Sequence, residues 1–246
     1  VNTRGFATTA NTRFMQLVDG MDNSTPALNF PIGNLVGMIE TDVQSVELLP
    51  GASSALYGAN AFNGILFMRS KSPFDHQGIS AFVKKGITSQ KAAGDNEYTD
   101  LGIRMAYKFS DKFAAKVNFG YLNGTDWAAT SEVDSDMFGG TRATNLNYNG
   151  INVYGDEVST NLKKVIESPD FLSQLPNPAL VSLVPLVDVS RTGYNERYLT
   201  DYTAESIKAD WGLYYRPITD SNFEIQYVGK VGTGTTIYQG TNRYNI

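Results

Sequence analysis

Apolar and polar residues alternate strictly over long stretches of the chain beyond residue 100. From Asp100 to Phe109, one face of an extended segment carries Leu101, Ile103, Met105, Tyr107 and Phe109. The other face carries Gly102, Arg104, Ala106 and Lys108. This period of two predicts a strand with one apolar and one polar face. Ser110-Asp111 then makes a turn, and Lys112 to Leu122 repeats the pattern. Phe113, Ala115, Val117, Phe119 and Tyr121 oppose Ala114, Lys116, Asn118 and Gly120. Ile207, Ala209, Trp211, Leu213 and Tyr215 predict a third long strand, and Phe223, Ile225, Tyr227 and Val231 a fourth. Ile79, Ala81 and Val83 predict a shorter strand ahead of them.

Strands of about ten residues suit a tilted bilayer crossing, which needs ~9–11. Strands of soluble sandwiches are usually nearer five or six residues. The connections are unequal: short turns are expected at 110–111 and 217–221, long loops at 88–98 and 123–203. Short turns on one side and long loops on the other are the habit of outer-membrane barrels. Aromatic residues beside both short turns (Tyr107, Phe109 and Phe113; Tyr215 and Phe223) resemble an interfacial girdle. Within the 123–203 loop, Val158, Leu162, Val165 and Ile166 predict an amphipathic helix over 156–167, ended by Ser168-Pro169. That helix and the apolar run 178–189 are expected to form a small lid or to pack the loop.

Composition narrows the function. The 246 residues are 41% hydrophobic and 18% charged, which suits a folded chain. The net charge of −5 and the lack of a basic block argue against nucleic-acid binding. With no cysteine, disulfides and thiol chemistry are excluded. The single histidine, His76, is expected in a solvated linker, so neither a Ser-His-Asp triad nor a multi-histidine metal site is expected. Glu132, Asp134 and Asp136 alternate and could hold Ca²⁺, but without an EF-hand pattern they read as a solvated acidic tip. No metal, cofactor or catalytic residue is expected. No apolar stretch reaches the ~18 residues of a transmembrane helix, and alternation lets a β-barrel carry a mean hydropathy of −0.25.

The first part of the chain mixes strand, turn and helix signals. Val46 to Ser70 reads VELLPGASSALYGANAFNGILFMRS. Pro50-Gly51 breaks a strand, Ser53 or Ser54 can cap a short helix through Tyr57, and Gly58 can end it. Ile65 to Met68 form the returning strand. Gly51, Gly58 and Gly64 do not make a phosphate loop, because no G-K-[ST] follows them.

This segment resembles the plug domain of TonB-dependent outer-membrane receptors, on Val46, Glu47, Ser53 or Ser54, Tyr57, Gly58, Ala61 and Gly64. Three turn positions depart from the family pattern: Pro50 precedes Gly51, Ala52 stands where proline is usual, and Asn63 replaces the first of two glycines. Val1-Asn2-Thr3-Arg4-Gly5-Phe6 and Gln16 to Met21 resemble two further plug segments, so Arg4 and Gly5 join Glu47, Gly51, Tyr57, Gly58 and Gly64 as plug-motif residues. The run from Gly232, GTGTTIYQGTNRYNI, resembles receptors of a Bacteroides-like branch.

The resemblance implies an α+β plug domain followed by antiparallel transmembrane strands of an incomplete, ~22-stranded barrel. Residues 1–72 are expected to be the later part of the plug. Residues 78–246 are expected to be the first five or six barrel strands, with 123–203 an extracellular loop. The beginning at Val1 and the small number of strands are read as a missing early plug, TonB-interacting segment and remaining barrel. The implied activity is active import of a scarce ligand (a metal chelate, cofactor, glycan or peptide) across the outer membrane of a Gram-negative bacterium. The implied partners are TonB and its inner-membrane energising complex, outer-membrane lipid and a surface lipoprotein. No bond in the ligand is broken, so no enzyme activity is expected. The alternatives are a receptor-like barrel serving in a surface or secretion assembly, and a soluble β-rich module.

In the imported-ligand reading, the apical plug loop Met21 to Asn34 supplies Asp22, Asn23, Asn29 and Phe30 as ligand contacts. Plug residues Arg4, Glu47, Arg69 and Lys71 are expected to pair with inward barrel residues such as Arg104, Lys108, Lys116, Lys208, Asp210 and Glu224.

Overall fold

The computed structural model describes residues 11–24, 37–51, 54–58, 60–91, 94–136, 140–218, 221 and 223–235. Arg4, Gly5, Asn29, Phe30 and the run beyond Thr235 lie outside the described residues. Two compact units are present: residues 1–90, 94–126 and 203–246 form one, and residues 91–93 and 127–202 the other.

The first unit opens with β1 (Phe14–Val18), β2 (Met21–Asp22), β3 (Val43–Pro50), the one-turn helix α1 (Ser54–Tyr57) and β4 (Gly64–Ser70). These strands make a mixed sheet in the order β2-β1-β4-β3, with β1 and β4 parallel. Met15, Leu17, Ala61 and Ile65 form its small apolar core, with Phe67 against them. The motif glycines have backbone reasons. Gly58 follows α1 at φ +92°, where a side chain would be strained. Gly64 has φ +143°, and a Cβ there would lie 3.0 Å from the Leu49 carbonyl oxygen. Tyr57 meets Phe67 edge-on at 5.3 Å.

Long strands follow: β5 (Gly78–Gln90), β6 (Gly94–Lys108) and β7 (Phe113–Thr125). Short strands of the second unit come next: β8 (Val153–Tyr154), β9 (Ser159–Asn161), β10 (Asp188–Ser190) and β11 (Tyr194–Asn195). The chain then returns through β12 (Thr203–Tyr215) and β13 (Ile225–Thr235). The long strands build one antiparallel sheet in the order β13-β12-β7-β6-β5. A 13-residue strand such as β5 is about 43 Å long at ~3.3 Å per residue.

The expected loop at 88–98 is a correction. Gln90 pairs with Gly94 and Thr88 with Asn96, so β5 and β6 run almost to a tight connection. Those residues are too polar to show an apolar face, but a ladder of backbone hydrogen bonds needs none. The strand at 78–90 is correspondingly long, not short.

The long sheet has inverted polarity. On one face Asp100, Arg104, Lys116, Asn118, Ser206 and Lys208 are buried, with Arg104 only 2% exposed. On the other, Met105, Tyr107, Val117, Phe119, Trp211 and Leu213 are exposed, and Ile79 reaches 73%. A soluble sheet buries the apolar face instead.

In the second unit, β8 pairs with β11 and β9 with β10. The amphipathic helix over 156–167 is a second correction: Ser159–Asn161 are strand, and α2 spans Leu162–Ile166. Pairing of β9 with Asp188–Ser190 takes the backbone that the helix would have used, and the Asn161 side chain then caps α2 by accepting from the Lys164 N–H. A second one-turn helix, α3 (Pro169–Leu172), and a 3₁₀ turn, Pro178–Leu183, complete the segment.

The acidic tip is corrected at Asp134 alone, since Glu132 and Asp136 are exposed. Asp134 is fully buried, where it accepts from the Asp136 N–H at 3.1 Å and from the Asn145 side chain. Asp156 is equally buried and accepts from the Gly150 N–H at 2.7 Å. Glu196 accepts from Asn152 (3.2 Å), the Tyr154 hydroxyl (2.9 Å) and the Tyr202 hydroxyl (3.1 Å). These carboxylates serve as internal acceptors that tie the turns together.

Candidate functional site

The segment preceding β3 docks the small sheet onto the polar face of the long sheet. Its backbone closes a 3₁₀ turn, Glu40–Asp42, with the Asp42 N–H donating to the Ile39 carbonyl at 2.9 Å. That turn presents three successive kinds of contact.

Asp42 supplies the charge. Arg104 Nε on β6 donates to its Oδ1 at 2.7 Å. Lys116 Nζ on β7 donates to its Oδ2 at 2.7 Å, and Asn118 Nδ2 to the same oxygen at 3.0 Å. Asn118 also donates to Asp210 on β12. Two cations and two carboxylates therefore meet in one cluster. Buried charges need such pairing, because an isolated one costs several kcal/mol to desolvate.

Ile39 supplies the shape. It is 2% exposed. Gly102 and Gly120 stand opposite each other on β6 and β7. A Cβ on Gly102 would lie 3.0 Å from Ile39 Cγ2, and one on Gly120 would lie 3.2 Å from Ile39 Cγ1. The paired glycines thus form a socket that Ile39 shares with the Phe82 ring, which lies nearer still to a Cβ on Gly102. Glu40 completes the dock through an ion pair with Lys84 on β5.

The same two cations hold the strap that joins the sheets. Arg104 Nη1 donates to the His76 carbonyl at 2.8 Å, and Lys116 Nζ to the Lys71 carbonyl at 3.1 Å. The His76 side chain itself is exposed.

The pairing expected from sequence has the right inward cations but the wrong partners. Glu47 and Arg69 are exposed, and Lys71 Nζ donates to the Thr41 carbonyl at 2.8 Å. Lys108 pairs with Asp111, and Glu224 with Arg216. Both strand-end residues find local partners at the turns, which are nearer than the small sheet. Asp42, Ile39, Gly102 and Gly120 are the residues that sequence reasoning missed. The available signal was the pair of inward cations, Arg104 and Lys116, together with a carboxylate other than Glu47, Asp42, just ahead of the first motif strand.

Of the ligand candidates, Asp22 is exposed on β2 and accepts from the Ser24 N–H at 2.9 Å. Asn23 accepts from Lys230 Nζ of β13 at 3.0 Å. Among the motif residues, Glu47 pairs in register with Phe67, and Gly51 follows the end of β3. Among the described residues no cluster of three or more metal-ligating side chains occurs, and no helix is long and apolar enough to cross a membrane.

Residues 1–65 match the family model of the TonB-dependent Receptor Plug Domain. The crystal structure of the siderophore receptor PirA from Acinetobacter baumannii is similar over 96% of this chain, with a TM-score of 0.50 at 11% sequence identity. The chain spans 26% of the length of that receptor. No curated protein matches the sequence. The fold is thus a plug-type sheet followed by an antiparallel sheet similar to part of a TonB-dependent receptor.

Proposed function

We propose that the chain is part of a TonB-dependent importer, with residues 1–72 as plug and 78–246 as the first strands of a wall that closes, in the whole protein, into a ~22-stranded barrel. The observation that carries this reading is the inverted polarity of the long sheet beside a plug-type domain. Apolar side chains face outward, as lipid requires, and charged side chains face the plug. The run at 232–246 favours the Bacteroides-like branch of the family.

In this reading the plug seals a polar lumen. A ligand binds from outside against the plug loop, with Asp22, Asn23, Asn29 and Phe30 as its contacts, and residues 127–202 form the extracellular segment. TonB pulls on the plug, driven by the inner-membrane complex, and the ligand passes without chemical change. The likeness to a siderophore receptor makes ferric siderophores the first class to test, ahead of cofactors, glycans and peptides.

The test is uptake of a panel of radio-iron-loaded siderophores by cells carrying the full-length protein. Uptake of at least one, lost on deletion of the protein and equally lost without TonB, is the expected result. Uptake that persists without TonB would overturn energised import. Lack of uptake for every chelate, with the protein held in an outer-membrane assembly, would favour the structural role.

A further inference from the structure

We propose that the outward face of the wall carries a fixed phospholipid site where β6 and β7 run into their short turn. It takes one acyl chain and the anionic phosphate head group of a lipid of the periplasmic leaflet. It rests on the reading of the long sheet as a lipid-facing wall and does not depend on what is imported.

The outward row of β7 is Phe113, Ala115, Val117, Phe119 and Tyr121. Ala115 is the one small side chain in that row, and it stands opposite Tyr107 of β6. The first outward residue of β5 is Ile79, level with Met105, so no residue of β5 stands beside Tyr107. These two gaps join into a groove of about 390 Å³, lined by Ile79, Met105, Tyr107, Phe109, Ala115 and Val117. That volume falls within the roughly 300–1,000 Å³ of ligand pockets. Lys116 adds only backbone to the lining, since its Nζ is held on the other face by Asp42. The groove therefore offers hydrocarbon surface without a charge, which suits an acyl chain and penalises a polar occupant.

At the turn the surroundings change in kind. Tyr107 meets Phe109 edge-on at 4.9 Å, and Phe109 meets Phe113 at 5.4 Å, so three rings border this end. Tyr107 is 61% exposed, as suits a ring with an apolar body and a wet hydroxyl at a membrane interface. Lys112, directly before Phe113, is exposed. The carboxylates described nearby are engaged elsewhere. Asp111 pairs with Lys108 at 2.6 Å, and Glu224 pairs at 2.7 Å with Arg216, whose N–H donates to the Lys112 carbonyl. Among the described residues Lys112 has no acidic partner. An unpaired ammonium beside a ring-bordered apolar groove complements an amphiphile with a negative head, and a lysine at a membrane surface attracts anionic lipid. Short turns mark the periplasmic side of such a wall, which selects a glycerophospholipid of that leaflet.

The test is photolabelling of the full-length protein in phosphatidylcholine vesicles that hold a trace of phosphatidylglycerol with a diazirine midway along one chain. Labelling is expected to concentrate in residues 105–117. The reference is β13 around Tyr227, which lies level with Ala115 through Leu213. Ala115→Phe keeps the face apolar and fills the groove. It should bring labelling at 105–117 down to the β13 level and leave β13 unchanged. Ala115→Leu repeats the test should the ring disturb folding. Lys112→Gln should lower the preference for phosphatidylglycerol over an equally labelled phosphatidylcholine by about fivefold, the effect of one lysine at a membrane surface. Lys112→Arg should restore it. Equal labelling along the outward face, insensitive to both Ala115 variants, would overturn the site and leave an ordinary lipid-facing wall. Labelling of β13 with none at 105–117 would overturn it too, with another segment of protein covering the groove. A head-group preference untouched by Lys112→Gln would overturn the anionic assignment. Labelling nowhere on the outward face would sink the wall reading itself.

Discussion

The Asp42 carboxylate lies 2.7 Å from Arg104 Nε, with both side chains 2% exposed, although 62 residues separate them in the chain. Lys116 takes the other carboxylate oxygen at the same distance. Replacing Asp42 by Ala leaves two buried cations facing one another. The expected cost is about 3–5 kcal/mol of docking stability. Limited proteolysis of the full-length protein in detergent would read it as release of the plug. Converting Asp42, Arg104 and Lys116 together to apolar residues of similar size should recover much of the loss, since well-packed apolar groups often replace buried ions without penalty.

The glycine socket gives a steric prediction. Gly120→Val places methyl groups where Ile39 and the Lys208 side chain already lie. Overpacking of this kind costs about 1–3 kcal/mol. Ile39→Ala in the same chain should relieve it. Thermal unfolding of both variants checks the coupling, and an Ile39→Ala change that worsens the Gly120→Val variant would count against the socket.

The outward face of the wall gives a third. Ile103→Arg puts a charge near the middle of β6, on the face shared with Leu101 and Met105. In a bilayer this should cost about 2–4 kcal/mol. In a soluble sheet, a change at such a partly exposed site usually stays within about 0.5 kcal/mol. Urea titration of the full-length protein folded into lipid vesicles distinguishes the two.

Alkali should loosen the second unit. Burial pushes the Tyr202 hydroxyl above its ordinary value; the bond from the Ala129 N–H works against it, and the neighbouring Glu196 carboxylate adds to the rise. Burial likewise raises Tyr148, with Glu132 adding to the shift. A phenol whose folded pKa is raised contributes stability that is present below its unfolded pKa of about 10 and is lost as pH rises through the folded value. Thermal stability should therefore fall more steeply above pH ~10 in the native protein than in Tyr202→Phe.

Much of this architecture was legible along the chain. Strand pairs such as 101–109 with 113–121 announce themselves, because a period of two needs nothing beyond the order of side chains. The motif Gly51, Gly58 and Gly64 was equally visible, since left-handed turns select glycine locally. The hairpin at 88–98 was not, because strand ends outside an apolar layer keep their ladder without any hydrophobic signature. The helix over 156–167 failed for the opposite reason. Its apolar spacing is real, but pairing of Ser159–Asn161 with Asp188–Ser190 claimed the backbone first.

The sequence by itself determined which face of each long strand is apolar, where the turns fall and that the inward face is charged. These depend on neighbours within a few residues. Only the tertiary structure decided that Asp42, and not Glu47, answers Arg104 and Lys116, and that Gly102 and Gly120 are spaced for Ile39. Charge attracts at a distance without naming its partner, and a socket exists only when two strands and a third segment are brought together. The chain of contacts that positions the plug is therefore a property of packing between segments far apart in sequence, which no local pattern encodes.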